Sequence, residues 1–308
     1  MYFKFESFIT RILIKIRKFA FIFGSVSDES LFNASFEGIP GLEFSDSAIV
    51  ITTFEARFEA FAIPLISQIR SISDIEIFVI INGNYGITRS RSQLNKFLRK
   101  IVLWEGVNPI VFNTMQGCAK MWNSGIIHAD CQYTFIFNDD IIISEKSFLN
   151  DIRSARSLAV SRGLVTINSS WSYFCISQET IKNVGFFEER FLGFGEEDGD
   201  YRYRYQEFAG ELVANINLSG FLNVVDESRD ARVSAGIGKY SLFNTCLMRE
   251  MYQESENGIT GSFDIPMKKQ VDYLNPNPVF FFRKHFQEFL GEESESRIRQ
   301  ELNSFFKK

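Results

Sequence analysis

A chain of 308 residues that is 45% hydrophobic and 15% aromatic can bury a substantial core, which excludes disorder as a description of the whole. The length fits one large domain, or one domain plus an appendage. A formal net charge of −5 excludes a chain-wide basic surface for neutralising nucleic-acid phosphates, so no nucleic-acid partner is expected.

Residues 1–25 are rich in Phe, Ile and Leu yet carry Lys4, Arg11, Lys15, Arg17 and Lys18. Their uncharged stretches are too short to span a bilayer or to form a signal-peptide core. At about 100° per residue, Lys4, Arg11, Lys15 and Lys18 share one face of a helix, and Phe8, Ile9, Ile12, Leu13, Ile16, Phe19 and Phe23 the other. Two readings stand: a helix lying in an anionic membrane surface, or one packed on the globular body.

From residue 47 short β-rich runs alternate with helical stretches. Ala48–Thr53 reads as a buried strand, residues 56–70 as helical, and Ile75–Ile81 as a second strand ended by Asn82-Gly83-Asn84. A helix closing near Val102 leads to a strand at Pro109–Phe112. Cys118–Ala129 reads as a helix and Tyr133–Phe137 as a fourth strand. Such alternation predicts an α/β fold with a mainly parallel sheet covered on both faces. Ligands of such sheets sit beyond the carboxyl ends of the strands, where Thr53, Glu55, Asn82, Asn138, Asp139 and Asp140 stand. Neither GxGxxG nor GxxxxGK[ST] occurs, which removes the usual dinucleotide and P-loop readings. Beyond residue 240 the chain reads as mainly helical, closing with a charged amphipathic helix from Phe281 to Phe305. The four cysteines (Cys118, Cys131, Cys175 and Cys246) form no CxxC pair and read as small buried hydrophobes of a reducing cytosol.

Two acidic groups carry chemistry. Asn138-Asp139-Asp140 places adjacent carboxylates after a buried strand, costly unless a positive partner meets them. A divalent cation shared with a diphosphate is one solution, and an Asp-rich turn capping the next helix is the other. The second group is Gly195-Glu196-Glu197-Asp198-Gly199-Asp200, where crowded like charges raise one another's pKa and poise a carboxylate as a base. Phe186, Phe187, Phe191, Phe194, Tyr201 and Tyr203 around it are candidate flat faces for sugar rings. The structural reading of the same stretch is an acidic first helical turn, stabilised by the helix dipole, among core aromatics.

In this order and about sixty residues apart, the two groups resemble GT-A fold glycosyltransferases, bacterial family-2 enzymes in particular, over roughly residues 47 to 230. Ile51-Thr52-Thr53-Phe54-Glu55 looks like the opening strand and turn that hold the nucleotide base. Asn138-Asp139-Asp140 looks like the Asp-X-Asp metal motif, and Gly117, Lys120, Asn123 and Gly125 match the helix before it. The second loop is similar to the Gly-Gly-Glu-Asp-Asp loop of galactosyltransferase-like members.

The resemblance implies a Rossmann-like sheet at 47–235, flanked by helices and by a helical extension at 236–308. It implies Asp198 as catalytic base with the catalytic Glu197 beside the acceptor, and Phe194 and Asp200 in contact with that acceptor. Thr53, Phe54, Glu55, Asn82, Lys120, Asn123 and Asp139 would meet the donor. Asp140, Asn138 and Asp226 would hold Mn²⁺ or Mg²⁺. The implied partners are a UDP-sugar donor and a glycan or glycolipid acceptor, and the implied reaction inverts the anomeric centre. The chain departs from the pattern at Ile81, where the family usually has an Asp, at Asn138, at Phe194 in place of Trp, and in lacking a late metal-binding His near Asp226. The rival is a non-catalytic sugar- or nucleotide-binding scaffold. A nucleotidyltransferase is disfavoured because Thr53-Phe54-Glu55-Ala56-Arg57 lacks the Gly-rich loop that class needs.

Overall fold

The computed structural model describes residues 44–83, 88–113, 116–223, 243–244, 247–248, 251–260 and 266–269. The expectations for residues 1–25, for Asp226 and for the helix from Phe281 to Phe305 lie outside them. Four apolar strands make the parallel half of the sheet: β1 (Ser47–Phe54), β2 (Glu76–Asn82), β3 (Val107–Val111) and β4 (Tyr133–Asn138). β1 is followed by a 3-10 turn (Glu55–Arg57) and a π turn (Phe58–Ala62) that run into α1 (Ile63–Ile72). α2 (Thr88–Ile101) precedes β3, and α3 (Cys118–Ala129) precedes β4. Then come β5 (Ile141–Ile143), α4 (Phe148–Arg162), β6 (Leu164–Ile167), β7 (Ser170–Ser177) and α5 (Gln178–Val184). α6 (Glu197–Ala209), β8 (Ala214–Ile216) and β9 (Phe221–Asn223) follow.

The main sheet runs β3-β2-β1-β4-β7-β6-β8. β3, β2, β1 and β4 are parallel, whereas β7 lies antiparallel to both β4 and β6. Both faces of the parallel half are buried, which is why these strands are near-continuous Val, Ile and Phe rather than alternating. Ile49, Ile51, Ile77, Val79, Phe135 and Phe137 pack against α1, α2 and α4 in one core. Ala48, Val50, Phe78, Ile80 and Ile136 face the other way, onto Trp122 and Ile126 of α3 and Tyr201 and Tyr205 of α6. The chain winds outward from β1 to β3, and α3 then carries it back to β4 on the far side of β1. The strand order therefore reverses between β1 and β4, the position where open α/β sheets part to admit ligands.

Beyond residue 240, read as mainly helical, residues 243–244, 247–248 and 251 are helical and the rest of the described segment is not. β10 (Tyr252–Thr260) and β11 (Pro266–Lys269) form an antiparallel pair, with a register irregularity between Glu254 and Ile259. Gly258 and Thr260 are weak helix formers, and strand pairing satisfies the backbone here.

Candidate active site

The acidic motif sits at the switch point. The β1–β4 register sets Thr52 beside Asn138, and the Thr52 hydroxyl donates to Asn138 Oδ1 at 3.1 Å. One residue on, the Thr53 hydroxyl donates to Asp139 Oδ2 at 2.5 Å. Arg57, in the turn after β1, closes the motif: its Nε lies 2.7 Å from Asp139 Oδ1 and its Nη2 2.6 Å from Asp140 Oδ2. The rings of Phe54 and Phe61 flank the guanidinium at 5.4 Å each. Asp139 is 2% exposed and has both oxygens engaged, so it serves as the anchor of the turn rather than as a free ligand. Asp140 keeps one buried oxygen, Oδ1, without a hydrogen bond. Such an orphaned carboxylate oxygen is what a hard cation takes. Among the described residues no three His, Cys, Asp or Glu side chains converge as a metal cage. Mg²⁺-type sites commonly use one or two carboxylates and fill the rest with substrate phosphate and water, and Asp140 fits that pattern.

α3 seats on β1 at one point and, at its start, on the loop that leads to the second acidic group. A Cβ on Gly125 would lie 2.2 Å from Val50 Cγ1, so only glycine lets the helix seat on β1 this closely. At its start a Cβ on Gly117 would lie 2.8 Å from the Phe191 carbonyl oxygen, and the Cys118 amide donates to Gly193 O at 2.6 Å. Asn82 and Asn123, expected to face the donor, spend their amides on the protein instead. Asn82 donates to Gln116 O at 2.9 Å and accepts from Gln116 N at 2.8 Å, tying the end of β2 to the approach to α3. Asn123 donates to Phe187 O and Glu189 Oε1 and accepts from Phe187 N, holding the loop after α5. Lys120 pairs with Glu189 at 3.7 Å. His128 bonds Ser124 O within its own helix, a structural role.

The second acidic group enters α6 through Gly195 (φ +109°) and Glu196 (φ 77°). The left-handed conformation costs a residue bearing Cβ roughly 1 kcal/mol or more, so the surroundings must hold it. Asn244 does so: it accepts from Leu192 N at 2.8 Å and donates to Leu192 O at 3.0 Å and Gly195 O at 2.7 Å. Asp200, expected at the acceptor, is 0% exposed. Arg204 reaches it through Nε at 2.9 Å and Nη2 at 2.7 Å, and the Tyr252 hydroxyl donates to its other oxygen. It is the internal counter-ion that locks α6 to β10, because a charge buried this deeply must be paired.

Glu197 and Asp198 remain for chemistry. Burial first, then the charge of Asp198, pushes the Glu197 carboxyl up to about 8, while two backbone amides and the Cys118 thiol act the other way. Asp198 is partly exposed and also raised by burial, but the Gly199 amide at 2.9 Å and the charge of Arg202 support its ionised form. Environments that separate two neighbouring carboxyls distinguish a proton donor from a base. Of the six aromatics nearby, Phe187, Phe191, Tyr201 and Tyr203 are buried core, with Phe187 and Tyr201 stacked at 4.1 Å. Only Phe186 and Phe194 are exposed, Phe194 at 38%. Phe54 is exposed to the same extent, and Glu55 is half-buried at the start of the 3-10 turn.

A run of contacts joins the two groups. Asp139 holds Thr53, and the β1–β2 register puts Phe54 beside Asn82. Asn82 grips Gln116, two residues before Cys118, whose thiol is hydrogen-bonded to Glu197. Both acidic groups therefore lie on the carboxyl-terminal edge of the sheet. Arg57, Cys118, Asn244 and Tyr252 were not among the expected site residues. For Arg57 the signal was available, since the buried carboxylates require a cation and it is the nearest basic residue after β1.

No protein-family model and no curated protein matches the chain. Among solved structures it is similar to the mannosyltransferase PcManGT from Pyrobaculum calidifontis in complex with GDP-Man and Mn²⁺ (10% identity, 82% of this chain and 75% of that one, TM-score 0.48). It is similar also to glucosyl-3-phosphoglycerate synthase from Mycobacterium tuberculosis with Mn²⁺, UDP and glucosyl-3-phosphoglycerate (12%, 74% and 88%, TM-score 0.48). A third is GalNAc-T7 with UDP, GalNAc and Mn²⁺ (11%, 68% and 48%, TM-score 0.49), of which this chain spans under half. Similarities of this size assign no chemistry to the chain, which has to come from its own side chains.

Proposed function

We propose that this protein is a metal-dependent glycosyltransferase that moves a sugar from a nucleotide-sugar donor, a UDP-sugar, to a carbohydrate or glycolipid acceptor. The observation that carries this reading is the convergence just described: a carboxylate with a free oxygen at the switch point, and a differentiated carboxyl pair on the same sheet edge. Asp140, with Asn138 beside it, would hold Mn²⁺ or Mg²⁺, and the cation when bound neutralises charge on the diphosphate leaving group. Asp198 takes the proton of an acceptor hydroxyl. The hydroxyl oxygen attacks the anomeric carbon from the face opposite the leaving group, so the centre inverts. Glu197, protonated below about 8, offers a hydrogen bond to the acceptor.

The basic amphipathic pattern of residues 1–25 supports a peripheral position at the inner face of a bacterial plasma membrane, within surface polysaccharide synthesis. One observation favours the rival non-catalytic scaffold: Arg57 already neutralises the acidic motif. Incubation with a panel of nucleotide-sugars and Mn²⁺ decides between them. The enzyme releases nucleoside diphosphate from at least one donor and stops on chelation, and absence of release from every donor would sink the proposal.

A further inference from the structure

A cavity of about 330 Å³ is lined by Thr166, Ser169, Trp171, Arg202, Gln206 and Asn215, with Leu212 and Val213. Two independent alignments put it beside the acidic site. Along the sheet, β4 and β7 pair Phe137 with Tyr173. β7 starts at Ser170, so Trp171 lies two residues before Tyr173, at the edge of the sheet where β4 ends and Asp139 follows. Along α6, Asp198, Arg202 and Gln206 stand four residues apart and make one stripe of the helix, which leads from the carboxyl pair into the cavity. Arg202 is close enough to Asp198 for its charge to lower that carboxyl's pKa.

The lining is built for a ligand with both apolar faces and hydroxyls. Gln206 is 4% exposed, and its Oε1 is buried without a hydrogen bond. A buried acceptor left unpaired is unfavourable, and a ligand hydroxyl would supply the missing hydrogen bond. Trp171 is held edge-on by Phe174 at 5.2 Å and Phe187 at 6.4 Å, so its indole is a fixed apolar wall. Arg202, the one charged side chain of the lining, already acts on Asp198, and the other polar groups are hydroxyls and amides, so a neutral polyol is the fitting class.

We infer that this cavity is a distal subsite for a sugar ring of an oligosaccharide acceptor, a ring removed from the one that reacts. Gln206 lies two turns along α6 from Asp198, roughly 12 Å, farther than a single ring reaches. The inference rests on the glycosyltransferase reading. It adds to that reading a preference for acceptors of several sugar residues over single sugars.

The test is retention on an immobilised array of mono- to hexasaccharides, with UDP and Mn²⁺ present, using the whole chain. The wild type retains longer members and not the monosaccharides. Trp171→Ala and Gln206→Leu each weaken retention about ten-fold while UDP affinity, measured by calorimetry, is unchanged. Ser169→Arg, an exposed substitution at the rim that removes no core contact, blocks the cavity and has the same effect. If UDP binds but no oligosaccharide is retained, or if retention survives all three substitutions, the subsite is wrong and the enzyme reading stands. If neither UDP nor Mn²⁺ binds the wild type, both fall.

Discussion

Arg57 Nη2 lies 2.6 Å from Asp140 Oδ2, an ion pair that spans 83 residues and places a positive charge on the same carboxylate whose Oδ1 is left without a hydrogen bond. Arg57 and a divalent ion therefore compete for the same carboxylate. Removing a charge at this range changes the local energy by roughly 1–4 kcal/mol, between the limits of bulk water and a protein surface. Arg57→Gln should bind Mn²⁺ in the absence of nucleotide about ten-fold more tightly or better, as measured by calorimetry. An affinity equal to or below that of the wild type contradicts the competition.

Asp198 is the proposed base, and a positioned base contributes about 10²–10⁴ in rate. Asp198→Asn should lose that factor in turnover and keep UDP–Mn²⁺ binding, because no contact to Asp139 or Asp140 changes. Transfer at the wild-type rate would remove Asp198 from its role.

Glu197 links stability to pH. Its ordinary pKa of 4.5 is pushed up to about 8 by burial and by Asp198. Between those values the folded protein holds a proton that the unfolded chain has released. The stability from this group is complete below 4.5, declines as pH rises, and is lost above about 8. Glu197→Gln should flatten that decline in Tm between about pH 5 and about pH 9, and an unchanged slope would show that the carboxyl is not held protonated.

Asn244 makes three hydrogen bonds to the backbone of Leu192 and Gly195. Asn244→Ala leaves those groups unpaired and should cost about 1–3 kcal/mol, read as a lower Tm. Turnover should fall further than stability alone explains, since the left-handed entry at Gly195 and Glu196 loses its clamp. A variant with a reduced Tm but full activity at a temperature where it is folded would separate the clamp from catalysis.

Some of this was legible residue by residue. Ala48–Thr53 and Ile75–Ile81 could be read as strands because a sheet covered on both faces demands unbroken apolar runs, and the bounds of α3 follow from its composition between Gly117 and Asp130. Where a side chain is spent on a distant backbone, sequence spacing is silent. Asn82 and Asn123 are polar residues near a ligand-bearing edge, and only their partners, 34 and 64 residues away, turn them from ligands into fasteners. The expectation of helix at 252–260 failed for a related reason, because the pairing of β10 with β11 overrides local preference.

By itself, then, the order of residues determined the alternating elements, the polar ends of the strands and the two carboxylate groups, since these depend on local periodicity and on the cost of burying charge. Only tertiary structure decided which carboxylates keep an unengaged oxygen. Asp139 is tied by Thr53 and Arg57, and Asp200 by Arg204 and Tyr252, while Asp140, paired with Arg57 through Oδ2, and Glu197 each keep one oxygen without a hydrogen bond, and Asp198 stays partly exposed. The physical reason is that a carboxylate's role is set by what opposes its charge, and for Asp139 and Asp200 every opposing group but Arg204 comes from a distant part of the chain.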